Sequence, residues 1–326
     1  MPALRTDEEL IIDTARTVAD MGEFALIERV IARLVPNSQT ELGPGDDAAV
    51  VRTLDGRTVA TTDMLIEGVH FRRDWSAAED VGHQAAAKNL ADVVAMGARP
   101  IALLVALGVP GELDVDWTDG LLIGLRQECA GLDVAIVGGD VVRSDKIVLG
   151  VTALGDLDGR APVLLSGARP GDRVAVAGRL GWANAGQAVL ARGFRSPVQV
   201  VAAHRRPEPP YTAGLEAAQA GATAMTDISD GLVVDAGRIA AASDVRIDLK
   251  AAALPPAPKL VEVGAALNVD PMVWVLTGGD DYGLVATFPA AVNPGPEWQV
   301  AGVVREGQGV RVDGRRWTQG GHEHFR

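Results

Sequence analysis

Cysteine is nearly missing from this chain of 326 residues: the single Cys129 excludes internal disulfides and any cysteine-rich zinc site. Long apolar runs are missing too. The longest nearly unbroken one, Ile101 to Val109, is half the ~20 residues of a membrane span, so no transmembrane anchor is expected. The N-terminus, Met1 to Glu9, carries acids where a secretory signal would carry a basic region and then a greasy stretch, so a cytoplasmic protein is expected. Basic residues are outnumbered, 30 Lys and Arg against 43 Asp and Glu, for a formal charge of −13. With no basic stripe, that charge speaks against nucleic acid or an anionic membrane as partner. A polyanionic ligand such as a nucleotide would need cations to screen its approach, which points to metal ions.

Familiar nucleotide and nucleophile signatures are absent as well. No G-x-x-x-x-G-K-[ST] occurs, which excludes a P-loop. Gly178, Gly181 and Gly186 miss the G-x-G-x-x-G spacing, and no acid follows about twenty residues on to hold a ribose. Their turn still opens a helix, leaving a packing or an anion-cradling role. Ser229 has no obvious His partner and no G-x-S-x-G elbow exists. Cys129, in an apolar helix, reads as core.

What is present is an ordinary globular composition, 48% hydrophobic and 22% charged, with 38 glycines and only 4% aromatics. Short Val/Ile/Ala runs broken by Gly-Asp or Gly-Gly read as α/β plus α+β rather than a helical bundle. The length suits two domains. A helix is expected over 7–36, then strands at 48–51, 58–62, 101–107, 134–137 and 147–154, with helices over 82–96 and 116–130. The turn-rich stretch 155–162 is the best punctuation, giving an N-terminal domain over 1–157 and a C-terminal one over 158–326. The second half reads as strand 173–177, helices 182–191 and 211–220, strand 224–228, helix 232–242, strand 246–249, a helix near 259–267, and strands 274–276 and 282–287. Ala60-Thr61-Thr62-Asp63 and Ala224-Met225-Thr226-Asp227 hint at related halves.

The acids set this sequence apart. Asp46 and Asp47 stand at the mouth of a strand beside glycines; Thr61-Thr62-Asp63 and Gly138-Gly139-Asp140 each read as a strand end. Asp227, Ser229 and Asp230 fall on a turn entering a helix, and Asp92 lies in an Ala/Leu/Val/Met helix. Acids and hydroxyls without His or Cys companions are the hard-oxygen set that suits Mg²⁺ bridging to phosphates. Each also has a plain structural reading: Asp after Gly is often a turn former or N-cap, and Asp92 is spaced to pair with Lys88 at i, i+4. So many acids in one chain would repel one another unless cations sat between them.

In order along the chain stand Gly45-Asp46-Asp47-Ala48-Ala49-Val50, Thr62-Asp63 to Gly68-Val69-His70-Phe71, and Lys88-Asn89-Leu90-Ala91-Asp92 to Gly97-Ala98. Gly138-Gly139-Asp140, Asp227-Ile228-Ser229-Asp230-Gly231-Leu232 and Leu276-Thr277-Gly278-Gly279-Asp280-Asp281-Tyr282 follow. Together they resemble the thiamine-monophosphate kinase family, of the superfamily of aminoimidazole-ribonucleotide synthetase and selenophosphate synthetase, over nearly the whole chain. The resemblance implies an N-terminal α/β domain whose sheet builds a homodimer, a C-terminal α+β domain, and ATP bound between them with several Mg²⁺ ions. It implies phosphorylation of thiamine monophosphate to thiamine diphosphate. By the same resemblance Asp46, Thr61, Thr62, Asp63, Asp92, Asp140, Asp227 and Asp230 would hold magnesium. Gly139, Asp140 and Ser229 would meet ATP, and His70, Asp280 and His322 the thiamine phosphate.

Three departures stand out. The ending Gly321-His322-Glu323-His324-Phe325 has an imidazole in the family's aromatic slot; Gly278-Gly279-Asp280-Asp281-Tyr282-Gly283 replaces Gly-Gly-Glu-Asp-Tyr-Glu; and Leu165-Ser166-Gly167-Ala168 lacks the family's Arg, with Arg169 nearby. Two other readings stay open: a sister ATP-dependent synthetase with another acceptor, and a non-catalytic Mg-nucleotide-binding module.

Overall fold

The computed structural model describes residues 16–43 and 49–317. The chain divides into two compact units, one of residues 1–89 and 100–156, the other of 90–99 and 157–326.

The first unit begins with α1 (Val18–Met21) and α2 (Glu23–Ile31). The expected single helix over 7–36 is instead broken at Gly22, whose φ of +77° ends one helix and starts the next; residues 7–15 lie outside the described residues. A small ribbon follows, β1 (Thr40–Leu42) against β2 (Val50–Val51). The main sheet is built from β3 (Val59–Ile66), β4 (Arg99–Val109), β5 (Ala135–Arg143) and β6 (Val148–Asp156), in the order β3-β6-β4-β5. Burial alternates along β3: Leu65 faces the core, while Ala60, Thr62 and Met64 are exposed. Period-2 alternation of this kind marks a sheet with one face covered. Helices α3 (Ala78–Ala95) and α4 (Val115–Ala130) belong to this half of the chain. Ala85, Ala86, Ala87 and Leu90 of α3 are wholly buried, and Cys129 of α4 is core, its thiol pushed up to about 12 by burial.

In the second unit the elements are β7 (Arg173–Ala177), α5 (Trp182–Ala191), α6 (Val198–Arg205), α7 (Tyr211–Ala220), β8 (Ala224–Ile228), α8 (Leu232–Ala242) and β9 (Arg246–Leu249). Then come a short 3₁₀ turn, α9 (Pro258–Leu267), α10 (Pro271–Thr277), β10 (Gly283–Phe288), β11 (Trp298–Arg305), β12 (Gly309–Val312) and β13 (Arg315–Arg316). Among the described residues the sheet has seven strands, ordered β13-β12-β9-β11-β7-β10-β8, antiparallel except where β12 runs parallel to β9. Its core stacks Ala175, Ala177, Leu284, Ala286 and Phe288 against Ala213 and Ala217 of α7, with Phe288 meeting Trp298 edge-on at 5.3 Å.

Three further expectations fail. Residues 274–276 form part of helix α10, not a strand: Asp270 accepts a hydrogen bond from the Met272 amide (2.9 Å) and Pro271 occupies the first turn, and this start signal outweighs the β-preference of Val273-Trp274-Val275. Thr61-Thr62-Asp63 and Gly138-Gly139-Asp140 lie inside strands rather than at their ends, because the ladders β3/β6 and β4/β5 continue past them to Ile66 and Arg143. Strand β1, helix α6 and strands β11 to β13 have no counterpart in the sequence reading.

Candidate active site

In the first unit the functional residues line up on β3 and β5. Thr61 and Asp63 share the covered face of β3 with Leu65; Thr62 points to the opposite face, where its hydroxyl donates to the Val151 carbonyl (3.0 Å) and accepts from Thr152 (3.1 Å). Strand alternation therefore separates two residues that the resemblance groups as ligands. Among the described residues Asp63 sits on an edge strand, whose outer amides need acceptors from outside the ladder. Asn89 of α3, fully buried, supplies one: its Oδ1 accepts from the Asp63 amide (3.0 Å) while its Nδ2 donates to the Ala85 carbonyl (2.9 Å). Lys88, next in the helix, places its ammonium 3.5 Å from the Asp63 carboxylate. Asp92, one turn on in the same helix, falls among residues 90–99 of the second unit and is half-buried.

On β5, Gly139 is compelled by packing: a side chain there would run into the main chain of Val105, just past the point between Leu103 and Leu104 where the β4/β5 register shifts. Such bulges often adjoin functional residues. Asp140 follows, exposed, its carboxylate accepting from the Val141 amide (2.9 Å). His70 lies just beyond β3 in a loop fixed by Phe71, which is buried beside Trp117. Its Nδ1 accepts from the Ile66 amide (3.0 Å), so the neutral ring carries its proton on Nε2 and presents a donor.

In the second unit two turns interlock. The first, Ser229-Asp230-Gly231, connects β8 to α8; the second, Gly278 to Tyr282, connects α10 to β10. The Asp280 amide donates to the Ser229 carbonyl (3.0 Å) and the Tyr282 amide to Ile228 (3.2 Å). A side chain on Gly279 would collide with the Ser229 carbonyl, so only glycine allows this approach. Asp227, at the end of β8, is buried. Asp235 of α8, wholly buried, accepts from the amides of Asp230 and Gly231 (both 3.0 Å), and Arg238 bridges Asp235 and Asp230. Burial pushes the Asp235 carboxyl up to about 7, against the pull of Arg238.

The second turn has its own anchor. Asp281 points inward and accepts from the amides of Gly181 and Ala183 (2.8 Å from the latter) at the start of α5. The glycine-spaced turn thus holds a carboxyl group, one supplied by the chain itself. Burial raises Asp281 to about 7 despite both amides. Asp280 points the other way, half-buried, and takes a hydrogen bond from the Tyr282 hydroxyl (3.0 Å). His204 of α6 feels the Asp280 charge, but burial holds its pKa below the ordinary imidazole value.

Asp46 and His322 lie outside the described residues. Among those described, no three acidic, His or Cys side chains converge as a ready-made metal cluster. The acids that are described have found other company: Lys88 for Asp63 and Arg238 for Asp230. Asn89, Asp235 and Tyr282 were missed as positioning groups. The one sequence signal for them is a polar residue set in an otherwise apolar helix stripe or strand start.

Among the described residues, no single helix is long and apolar enough to cross a membrane. Residues 45–157 match the family model of the AIR synthase related protein, N-terminal domain, and residues 169–314 that of its C-terminal domain. The chain is 45% identical over 317 residues to the thiamine-monophosphate kinase of Mycobacterium tuberculosis, covering 97% of this chain and 95% of that one. The crystal structure of thiamine-monophosphate kinase from Stenotrophomonas maltophilia K279a matches with a TM-score of 0.78 and 34% identity, over 91% of this chain and 98% of that one. AaThiL complexed with AMPPCP and TMP matches over 100% of both chains, with a TM-score of 0.78 and 31% identity. A two-unit fold matched along its length by both AIR synthase related domains, with relatives this similar over this span, makes the chain a member of the thiamine-monophosphate kinase family.

Proposed function

We propose that this chain transfers the γ-phosphoryl group of ATP to the terminal phosphate of thiamine monophosphate, giving ADP and thiamine diphosphate. The observation that carries the reading is the near full-length relationship to thiamine-monophosphate kinases, and the interlocked turns of Ser229-Asp230 and Asp280 supply its chemistry.

The donor set fits Mg²⁺. Every candidate ligand is a hard oxygen, and Asp63 and Asp230 each already hold a cationic side chain, so the charge at both positions draws cations. Asp46, Thr61, Asp63, Asp92, Asp140, Asp227 and Asp230 would hold the ions; Thr62, facing away, would not do so through its side chain. When bound, Mg²⁺ would neutralise phosphate charge and help align donor and acceptor.

The chain's own groups account for the rest. Gly139 and Ser229 bring main chain and hydroxyl to the nucleotide without adding negative charge. His70, whose Nδ1 is engaged by the Ile66 amide, would donate to the acceptor through Nε2–H. Asp280 accepts from it. The acceptor phosphate is already an anion at neutral pH and needs no strong base. Repulsion between two polyanions is the obstacle, and fixed positioning lowers it, with effective molarities that contribute roughly 7–11 kcal/mol in favourable cases. Transfer is direct on this reading, because neither Ser229 nor the buried Cys129 has an activating base among the described residues. We also expect a homodimer built on the open face of the first sheet, where Met64 is 51% exposed beside Ala60, Thr62 and Ala106. We expect it to act in the cytoplasm, the compartment that supplies ATP.

The test measures ADP release with Mg²⁺, with and without thiamine monophosphate. Release that depends on the acceptor supports the kinase. Release independent of it means transfer to water and speaks for a sister enzyme built for another acceptor, and binding without release speaks for a nucleotide-binding module.

A further inference from the structure

The turn that carries Asp280 is built against its own backbone preferences. Asp280 has φ +63° and Tyr282 φ +50°, so two side-chain-bearing residues out of three sit in the left-handed region that glycine favours. Strain of this kind persists where the surroundings fix it and is concentrated at functional sites. Its geometric result is a division of labour. Asp281 turns inward onto the α5 amides, Asp280 turns outward, and the Tyr282 ring, 1% exposed, returns its hydroxyl to Asp280 Oδ1 at 3.0 Å. A buried tyrosine hydroxyl needs a partner. Here the partner is the one carboxylate of the turn that faces away from the core.

We infer that Tyr282 is a positioning residue: its hydroxyl holds the Asp280 carboxylate in the single orientation in which Oδ2 meets the acceptor. The inference rests on the reading that Asp280 contacts thiamine monophosphate. Oδ1 is occupied by Tyr282, and Oδ2 has no partner among the described residues. A short aspartate has one fewer rotatable bond than glutamate, so a single strut on Oδ1 is enough to fix the direction of its other oxygen. The ligand feature it suits is an N–H donor of the acceptor, since a carboxylate only accepts hydrogen bonds. The main chain of the same turn is fixed separately, by Asp281 and by the Ser229 carbonyl, so removing the hydroxyl frees the carboxylate without unmaking the turn.

The experiment is a cycle of Asp280→Ala, Tyr282→Phe and the double variant, read by steady-state kinetics for both substrates and by calorimetric titration with thiamine monophosphate in the absence of ATP. Tyr282→Phe should raise KM and Kd for thiamine monophosphate about tenfold, leave KM for ATP within about twofold, and add nothing further in the Asp280→Ala background. A merely structural role would shift both substrates and would persist in that background; either result overturns the inference. A Tyr282→Phe variant with unchanged acceptor affinity, alongside an impaired Asp280→Ala, would do the same. If Asp280→Ala itself binds thiamine monophosphate normally, the assignment of Asp280 fails first and the inference falls with it.

Discussion

Asn89 is the sharpest place to perturb the first unit. It is wholly buried, and its side chain stands between helix α3 and the edge strand that carries Asp63. Asn89→Ala removes the acceptor that Asn89 Oδ1 offers the Asp63 amide, and a backbone donor that loses its partner costs about 1–3 kcal/mol. The Ala85 carbonyl suffers little, because it keeps its helical partner. The small void adds about 1 kcal/mol if the helix does not collapse onto it. The sum is ~2–4 kcal/mol, a large part of the ~5–15 kcal/mol that stabilises a typical domain. Since the same bond orients Asp63, apparent Mg²⁺ affinity should fall about 10- to 100-fold, as it does when outer-shell partners of metal ligands are lost. Urea melts give the first number and Mg²⁺ titration of kinase activity the second. A loss below about 0.5 kcal/mol with unchanged Mg²⁺ dependence would refute the reasoning, since Asn89 would then be neither a strut for β3 nor a guide for Asp63.

Other predictions follow from the same geometry. Asp63→Asn and Asp230→Asn should each lower kcat by more than about a hundredfold in folded protein, and Thr61→Ala should weaken Mg²⁺ dependence whereas Thr62→Ala should not; equal effects of the two threonines would contradict the alternation of β3. Asp281 is raised from 3.8 to about 7 in the fold. Between those values the unfolded chain is ionised and the folded one is not, so stability should fall as pH rises across the window, by up to ~1.4 kcal/mol per pH unit, and level off above it. Asp235 acts with the same sign, so melts of Asp281→Asn between pH 4.5 and 8 should show a flatter but not a level profile, and an unchanged slope would show that Asp281 is ionised throughout.

The sequence discloses elements best where local chemistry is unopposed. Strand 173–177 and helices 182–191 and 232–242 match the structure to the residue because apolar period and turn residues agree there. Residues 274–276 mislead because β-branched and aromatic side chains sit inside a helix whose start is set upstream, at Asp270-Pro271. Gly138-Gly139-Asp140 imitates a turn, yet its glycines serve contact with Val105, a partner thirty-odd residues away that no local pattern shows. The acids were legible as a group because charge of one sign is costly to gather without a purpose. Their supports were not: Asn89, Asp235 and Tyr282 act on groups brought to them only by the fold, and the opposite facing of Thr61 and Thr62 depends on how far strand β3 extends.

The central claim is direct transfer to thiamine monophosphate, and one measurement addresses it most directly. Enzyme, Mg²⁺ and γ-labelled ATP are incubated with and without the acceptor, quenched in acid, and the label is followed in protein and product. The account predicts one labelled thiamine diphosphate for each ADP when acceptor is present, and no stoichiometric label on the protein when it is absent. A labelled enzyme that forms without acceptor and then delivers its phosphate at the catalytic rate, or ADP formed with no labelled thiamine diphosphate, would contradict it.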